Sequence, residues 1–352
     1  MQVVRQILWS PVWLVQVFGM SKSFRDNPLL GSPLLNRMGL HVVRLVTAHA
    51  LNRLRLFTLA PLVPAEYRRE YRRDGFVVIE NFLARDEFDA LEAQLRDCKG
   101  EVRECIQGDT LTHRILLDED NLELMPACRA LVEDKRYERL LKYCAARLKR
   151  PLYYVQSIKN GFVTGNSDPQ KVLHSDTFHS SMKAWYFIDD VDADRGPFTY
   201  VPGSHRLTWK RLKWEYRRSI IGRDLKDGYS EKGSMRADPD DLVEMGLPEP
   251  RALMVPRNTL VVADTHGFHC RGSAAPGSSR LEIWAYSRTN PFNPLPGLGL
   301  RVFSRIEHYL ARKYWVWLDE RAARRNGQSS WHLVPTAKMG EKPQPLAPDA
   351  TS

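Results

Sequence analysis

Five short segments after residue 150, LYYVQSIKN, MKAWYFID, PFTYVPG, TLVVADT and LEIWAYSR, constrain this chain most strongly. Each is rich in β-branched or aromatic residues, and turn-forming residues separate them, which is the composition of strands. Short strands at this spacing predict an all-β sandwich or barrel. The 22 prolines and 21 glycines agree, because they demand many loops and turns. Upstream, GFVVIENFL reads as a buried strand. ARDEFDALEAQLRD reads as an amphipathic helix with Asp86 as its cap.

The chain divides by composition. Residues 1–64 form an apolar and basic helical leader, and residues 65–300 a patterned globular domain. A basic insert, residues 205–228, has Trp209, Leu212 and Tyr216 at helical spacing; residues 301–335 read as a terminal helix, and the Pro-rich tail 336–352 as disordered. At 352 residues and 43% hydrophobic, the chain can bury one large core or two modest ones. The formal charge of +10 predicts attraction to anionic partners. No nucleic-acid motif accompanies it, so no nucleic-acid partner is expected. The five cysteines are scattered with no CxxC pair, so reduced thiols in a cytoplasmic setting are expected.

The leader is interrupted by Pro11 and lacks a small-residue cleavage site, so it does not read as a signal peptide. Its first apolar stretch is too short for a confident membrane span. The second stretch mixes Leu and Val with Arg37, Arg44, Arg53 and Arg55, predicting a helix with an apolar face and a basic rim. Two readings are open for it. It packs on the catalytic core or a partner subunit, or it lies on an anionic membrane surface at the inner face of the membrane.

The chemistry concentrates in LHSDTFH. Residues two apart on an extended strand share a face, so His174 and Asp176 project together. One imidazole and one carboxylate are two of the three ligands of a facial-triad ferrous site. The pair alone is a weak signal. It gains weight from NTLVVADTHGFHCRGSAAPGSSRLEIWAYSR, where a buried strand leads to histidines, then a turn, then Arg280 at the next strand. A 2-oxoglutarate site needs a third ligand and a buried forked cation for the distal carboxylate, and arginine suits that better than lysine. His266 and His269 both remain open as the third ligand on these grounds.

DGFVVIENFL, HSD, GPFTYVPGSH and HCRGSAAPGSSR, in that order, resemble the phytanoyl-CoA dioxygenase family of Fe(II)/2-oxoglutarate oxygenases over roughly residues 65–290. The resemblance implies a mainly β fold with flanking helices, a double-stranded β-helix (jelly roll, cupin-like) with iron in its mouth. It implies His174, Asp176 and His269 as the catalytic iron ligands. The family's distal histidine precedes the cosubstrate arginine by eleven residues, which favours His269 with Arg280 over the rival His266. Trp185 matches an aromatic position near the cosubstrate, with plain core packing as its alternative, and Gln156 is placed on the same pocket. His205 belongs to a structural turn, His179 to a loop near the site, and Cys270 alternates with His269 and faces away. Asp176 argues for hydroxylation, since related halogenases carry a small residue there.

Implied cofactors are Fe(II), 2-oxoglutarate as cosubstrate and O2, with ascorbate supportive. The family hydroxylates acyl-CoAs, amino acids, alkaloids and lipopolysaccharide sugars, so fold does not choose the substrate. The leader and the basic insert, placed near the barrel mouth, point to a bulky anionic or lipid-linked substrate, such as a lipid A or Kdo-type saccharolipid or an acyl-CoA. Alternatives are a hydroxylase of a small soluble metabolite, a catalytically silent metal-binding or sensor module, and a zinc hydrolase.

Overall fold

The computed structural model describes residues 11–98, 100–161, 167–334 and 339–340. The start of the leader (1–10) and the expected disordered tail, apart from Met339 and Gly340, lie outside the described residues.

After a helical stretch over 11–17 come α1 (Pro33–Arg37), α2 (Leu40–Leu59) and α3 (Ala65–Asp74). Then follow β1 (Phe76–Ile79), α4 (Arg85–Arg96), β2 (Val102–Gln107), β3 (Thr110–Leu116), α5 (Glu119–Leu124), α6 (Pro126–Glu133) and α7 (Lys135–Cys144). The second half holds β4 (Leu152–Asn160), β5 (Met182–Phe187), β6 (Phe198–Tyr200), α8 (Trp209–Ile221) and α9 (Pro239–Met245). It closes with β7 (Arg251–Leu253), β8 (Thr259–Asp264), β9 (His269–Arg271), β10 (Ser279–Ser287), α10 (Arg301–Ala323) and β11 (His332–Val334).

Eight strands form one antiparallel sheet in the order β1-β8-β5-β10-β4-β3-β2-β11, and β7-β6-β9 form a smaller one. Strand order jumps between neighbours far apart in sequence, as in a double-stranded β-helix. His174 pairs with His269 of β9 and with Arg236, so the HSD segment extends the small sheet.

Period-two alternation divides the large sheet into two faces. Tyr153, Val155, Met182, Ala184, Tyr186, Leu260, Val262, Leu281, Ile283 and Ala285 pack with α4, α6 and α7 into the main core. Their neighbours Tyr154, Trp185, Phe187, Val261 and Trp284 join Phe198 and Tyr200 of the small sheet in an inner cluster.

Three expectations need correction. α4 starts two residues earlier than Asp86 would allow: Ala84 is the N-cap, and its N–H donates to Glu87 Oε2 at 3.2 Å. Asp86 instead lies in the first turn, where a carboxylate still suits the helix dipole. In α8, Trp209 is 68% exposed, and the buried face is Arg211, Trp214, Glu215 and Ser219. The reason is that α1 and α2 pack on α8, and His41 Nε2 meets Glu215 Oε2 at 3.0 Å. The insert thus packs on the leader, and none of its residues lines the cavity beside His174 and Asp176.

The leader is the third case. Arg37 and Arg53 are exposed, but Arg44 and Arg55 are buried, while Val43, Leu54 and Phe57 face solvent. Buried carbonyls explain the inversion, because orphaned acceptors are costly. Arg44 donates to Val17 O at 2.7 Å, Ser21 O at 2.7 Å and Gly19 O at 3.2 Å, and Arg55 donates to Asn293 O. Among the described residues, no helix is long and apolar enough to cross a membrane.

Candidate metal centre

His174 and Asp176 leave the same extended segment, and His269 opens β9 beside it. The His174 N–H donates to His269 O at 3.0 Å, and the His269 N–H returns to His174 O at 2.9 Å. This two-bond pair fixes the imidazoles next to each other, with ring centroids 4.5 Å apart. Asp176 Oδ1 lies 3.7 Å from His174 Nε2 and 3.8 Å from His269 Nε2. One donor atom from each of the three residues falls within 4.8 Å of the others, close enough to share one ion.

The donor set fits a divalent metal. His174 Nδ1 contacts Val172 O at 2.7 Å, and His269 Nδ1 contacts Gly267 O at 2.9 Å. A carbonyl can only accept, so each Nδ1 carries the proton and each Nε2 lone pair faces its neighbours. His269 Nε2 is buried without a hydrogen-bond partner, which is costly unless something takes the lone pair. Burial, together with the neighbouring His269, pushes His174 down to about 3, and burial pushes His269 down to about 4. Both imidazoles are therefore neutral and available as ligands at neutral pH. Burial opposes the Asp176 charge, but the Lys183 ammonium outweighs it and holds the carboxyl well below its usual range. Lys183 Nζ binds Asp176 Oδ2 at 2.6 Å and leaves Oδ1 toward the histidines.

The turn before His269 permits no side chain at Gly267. A Cβ there would lie 1.8 Å from Tyr200 Oη and 2.9 Å from Ser204 Oγ. Tyr200 donates to Asp264 O at 2.8 Å, and Ser204 Oγ accepts from the Phe268 N–H at 2.8 Å, so the turn is clamped from the small sheet.

A cavity of about 320 Å³ opens onto the triad. Arg280, Trp185 and Gln156 all line it. Trp185 lies against Phe198, with centroids 4.2 Å apart, so it both packs and forms wall. Gln156 links Arg114, whose Nε donates to Gln156 Oε1 at 2.6 Å, to Glu282. Glu282 also takes Arg280 Nε at 2.9 Å, while Arg280 Nη1 donates to Gly196 O. Of the Arg280 fork, only Nη2 makes no hydrogen bond to protein among the described residues.

His266 stays outside the triad. Its Nδ1 meets Thr177 O at 2.8 Å and its ring packs on His49 at 4.6 Å. His179 is turned to Ser180 O at 2.9 Å, and His205 packs behind Gly75. Cys270 is not in the triad, yet it contributes to the cavity wall. Sequence reasoning missed Lys22, Arg114, Lys183, Arg271, Glu282 and Arg288. For three of them a signal existed: Lys183, Glu282 and Arg288 share strand parity with Trp185 or Arg280.

Two imidazoles and one carboxylate brought together beside the small sheet are the donor set of a 2-His-1-carboxylate metal site. Residues 71–237 match the family model described as phytanoyl-CoA dioxygenase (PhyH). The peroxisomal phytanoyl-CoA dioxygenase of Mus musculus is 24% identical over 177 residues, 43% of this chain and 51% of the relative. The match thus spans about half the length of that curated relative. Among solved structures, the epimerase SnoN in complex with Fe3+, alpha ketoglutarate and nogalamycin RO is 21% identical, with 64% of this chain and 83% of that chain covered and a TM-score of 0.41. HygX from Streptomyces hygroscopicus, with nickel and 2-oxoglutarate bound, is 16% identical over 64% of this chain and 88% of that chain, at a TM-score of 0.42.

Proposed function

We propose that this protein is an Fe(II)- and 2-oxoglutarate-dependent dioxygenase that hydroxylates an organic substrate. The observation that carries the reading is the buried His174–Asp176–His269 group, with both Nδ1 protons committed to carbonyls and both Nε2 atoms free for a metal. The bound iron would supply dioxygen activation coupled to decarboxylation of 2-oxoglutarate to succinate. His174, Asp176 and His269 hold the metal, and Lys183 fixes which carboxylate oxygen reaches it. Arg280 takes the distal carboxylate of the keto acid through the free end of its fork, with Gln156 and Glu282 fixing the guanidinium in place. Trp185 and Phe198 close the inner wall against water.

Purified protein given Fe(II), ascorbate and labelled 2-oxoglutarate is expected to release CO2 and succinate slowly without prime substrate. Silence with one iron bound per chain would replace this reading with a metal-binding sensor module. Activity with zinc and indifference to 2-oxoglutarate would replace it with a hydrolase.

The prime substrate is read as bulky and anionic or lipid-linked, of the saccharolipid or acyl-CoA kind, reached from the inner face of a membrane. Support comes from the cationic cavity and from Leu14, Val15, Phe18, Val43 and Phe57, which the leader exposes. Val43→Ser with Phe57→Ser is expected to lower partition onto anionic vesicles at physiological salt. Unchanged partition removes the membrane part of the reading.

A further inference from the structure

The cavity has two cationic ends. Along β10, Arg280, Trp284, Tyr286 and the following Arg288 all line it, in step with the period of two. Eight residues of strand separate Arg280 from Arg288, or ~26 Å at ~3.3 Å per residue. A short diacid anchored at Arg280 cannot reach the other end. That far end is built from Arg288, from Lys183 (paired in register with Tyr286) and from Lys22 of the leader.

The three cations differ in what neutralises them. Lys183 is taken up by Asp176. Lys22 donates to the backbone carbonyl of Asp176, which is neutral, and has no carboxylate within ion-pair distance among the described residues. The same holds for Arg288, whose backbone carbonyl accepts from Arg147 Nη1 at 2.9 Å. Both residues are partly buried. Two unpaired cations sharing a partly buried cavity repel each other and lose hydration, a cost that an anionic ligand offsets. Their position is not incidental. Arg44 holds the carbonyls of the turn that carries Lys22 and stacks on Phe178, 4.2 Å from its centroid. Gly233 leaves room for the Lys22 backbone, where a Cβ would lie 2.2 Å from Lys22 O.

We propose that Lys22 and Arg288 form an anion subsite for a phosphate or carboxylate group of the prime substrate, so that the leader completes the substrate pocket. A guanidinium fork beside a point-charge ammonium suits a tetrahedral or planar oxyanion. The inference rests on the dioxygenase reading for the word substrate, but not for the anion.

The test is calorimetric titration of the full chain, loaded with Fe(II) and 2-oxoglutarate under argon, with inorganic phosphate and separately with acetate. The tighter probe identifies the anion. Lys22→Met and Arg288→Met are each expected to weaken it at least about tenfold, the loss of one charge-assisted bond. Lys22→Arg is expected to restore most of it, and 2-oxoglutarate affinity is expected to hold in all three. Arg280→Met is expected to do the reverse. If a Met variant melts early, Lys22→Gln and Arg288→Gln carry the comparison. The proposal is overturned if neither probe binds, if both Met variants bind it as the parent does, or if 2-oxoglutarate displaces it. Failure to bind 2-oxoglutarate with anion binding intact would instead sink the dioxygenase reading and leave the subsite standing.

Discussion

The two faces of β4, β5, β8 and β10 are made by alternate residues of the same strands, yet they obey different rules. The helix-facing side, from Val155 through Tyr186 and Val262 to Ile283, is mainly apolar, with Ser157, Lys159 and Asp264 toward its ends, and holds the fold together. The inner side carries Gln156, Lys183, Arg280 and Glu282 among its aromatics and bears the polar groups that a site requires. Burial is similar on both sides: Glu282 and Ile283 are both fully buried. What separates them is partnering. A buried Ile is satisfied by contact, whereas a buried Glu needs the Arg280 and Gln156 bonds it makes. Stability and chemistry can therefore be perturbed one residue apart.

The sharpest way to break this contrast is His174→Ala. Bound iron should fall to background and succinate release by at least about a thousandfold, some 4 kcal/mol of barrier, with little change in urea unfolding of the metal-free chain. On the opposite face, Ile283→Ala should cost about 2–5 kcal/mol in urea unfolding and leave iron affinity within a few-fold, because the cavity it opens faces the helices. Lys183→Met should lower metal affinity about 10–100-fold, read by chelator competition, since Asp176 loses the partner that orients it.

Acid gives the smallest and most general effect. Burial pushes His49 down to about 4 and His179 down to about 3. These folded values lie below the unfolded 6.5, so the unfolded chain takes up the protons first. Stability should thus fall as pH drops below 6.5, by up to about 1.4 kcal/mol per pH unit for each imidazole until the folded values are reached. His179→Gln should flatten that slope in urea titrations at pH 7 and pH 5, whereas Ile283→Ala should only displace the curve. An unchanged slope would mean that His179 is not neutral in the fold.

How far these features can be read from sequence follows from how local they are. β4 is legible almost residue for residue, because LYYVQSIKN opens on a run of aromatic and β-branched residues between turns. His174 and Asp176 are legible because two residues on one strand must share a face. His269 needs the family spacing to Arg280, since His266 is chemically equal and only the fold separates the two. VRECIQ and TLTHRIL are harder, although they form β2 and β3. Arg114 projects from β3 into the cavity, and an inward charge alternates exactly as an outward one would. Arg44 and Arg55 mislead for a related reason: a helical basic rim normally means solvent, and here the acceptors are carbonyls contributed by distant loops. Lys22 gives no local sign of its role, because its partners lie at Asp176 and beyond.

The Arg44 clamp also sets an order of events. The turn it seats, residues 17–22, is synthesised well before Phe178, Gly233 and Arg288 around it. At ribosomal speeds of about 5–20 residues per second, tens of seconds separate Lys22 from Arg288. Throughout that time Val17, Phe24 and Leu30, which the finished fold buries, have no barrel to settle against.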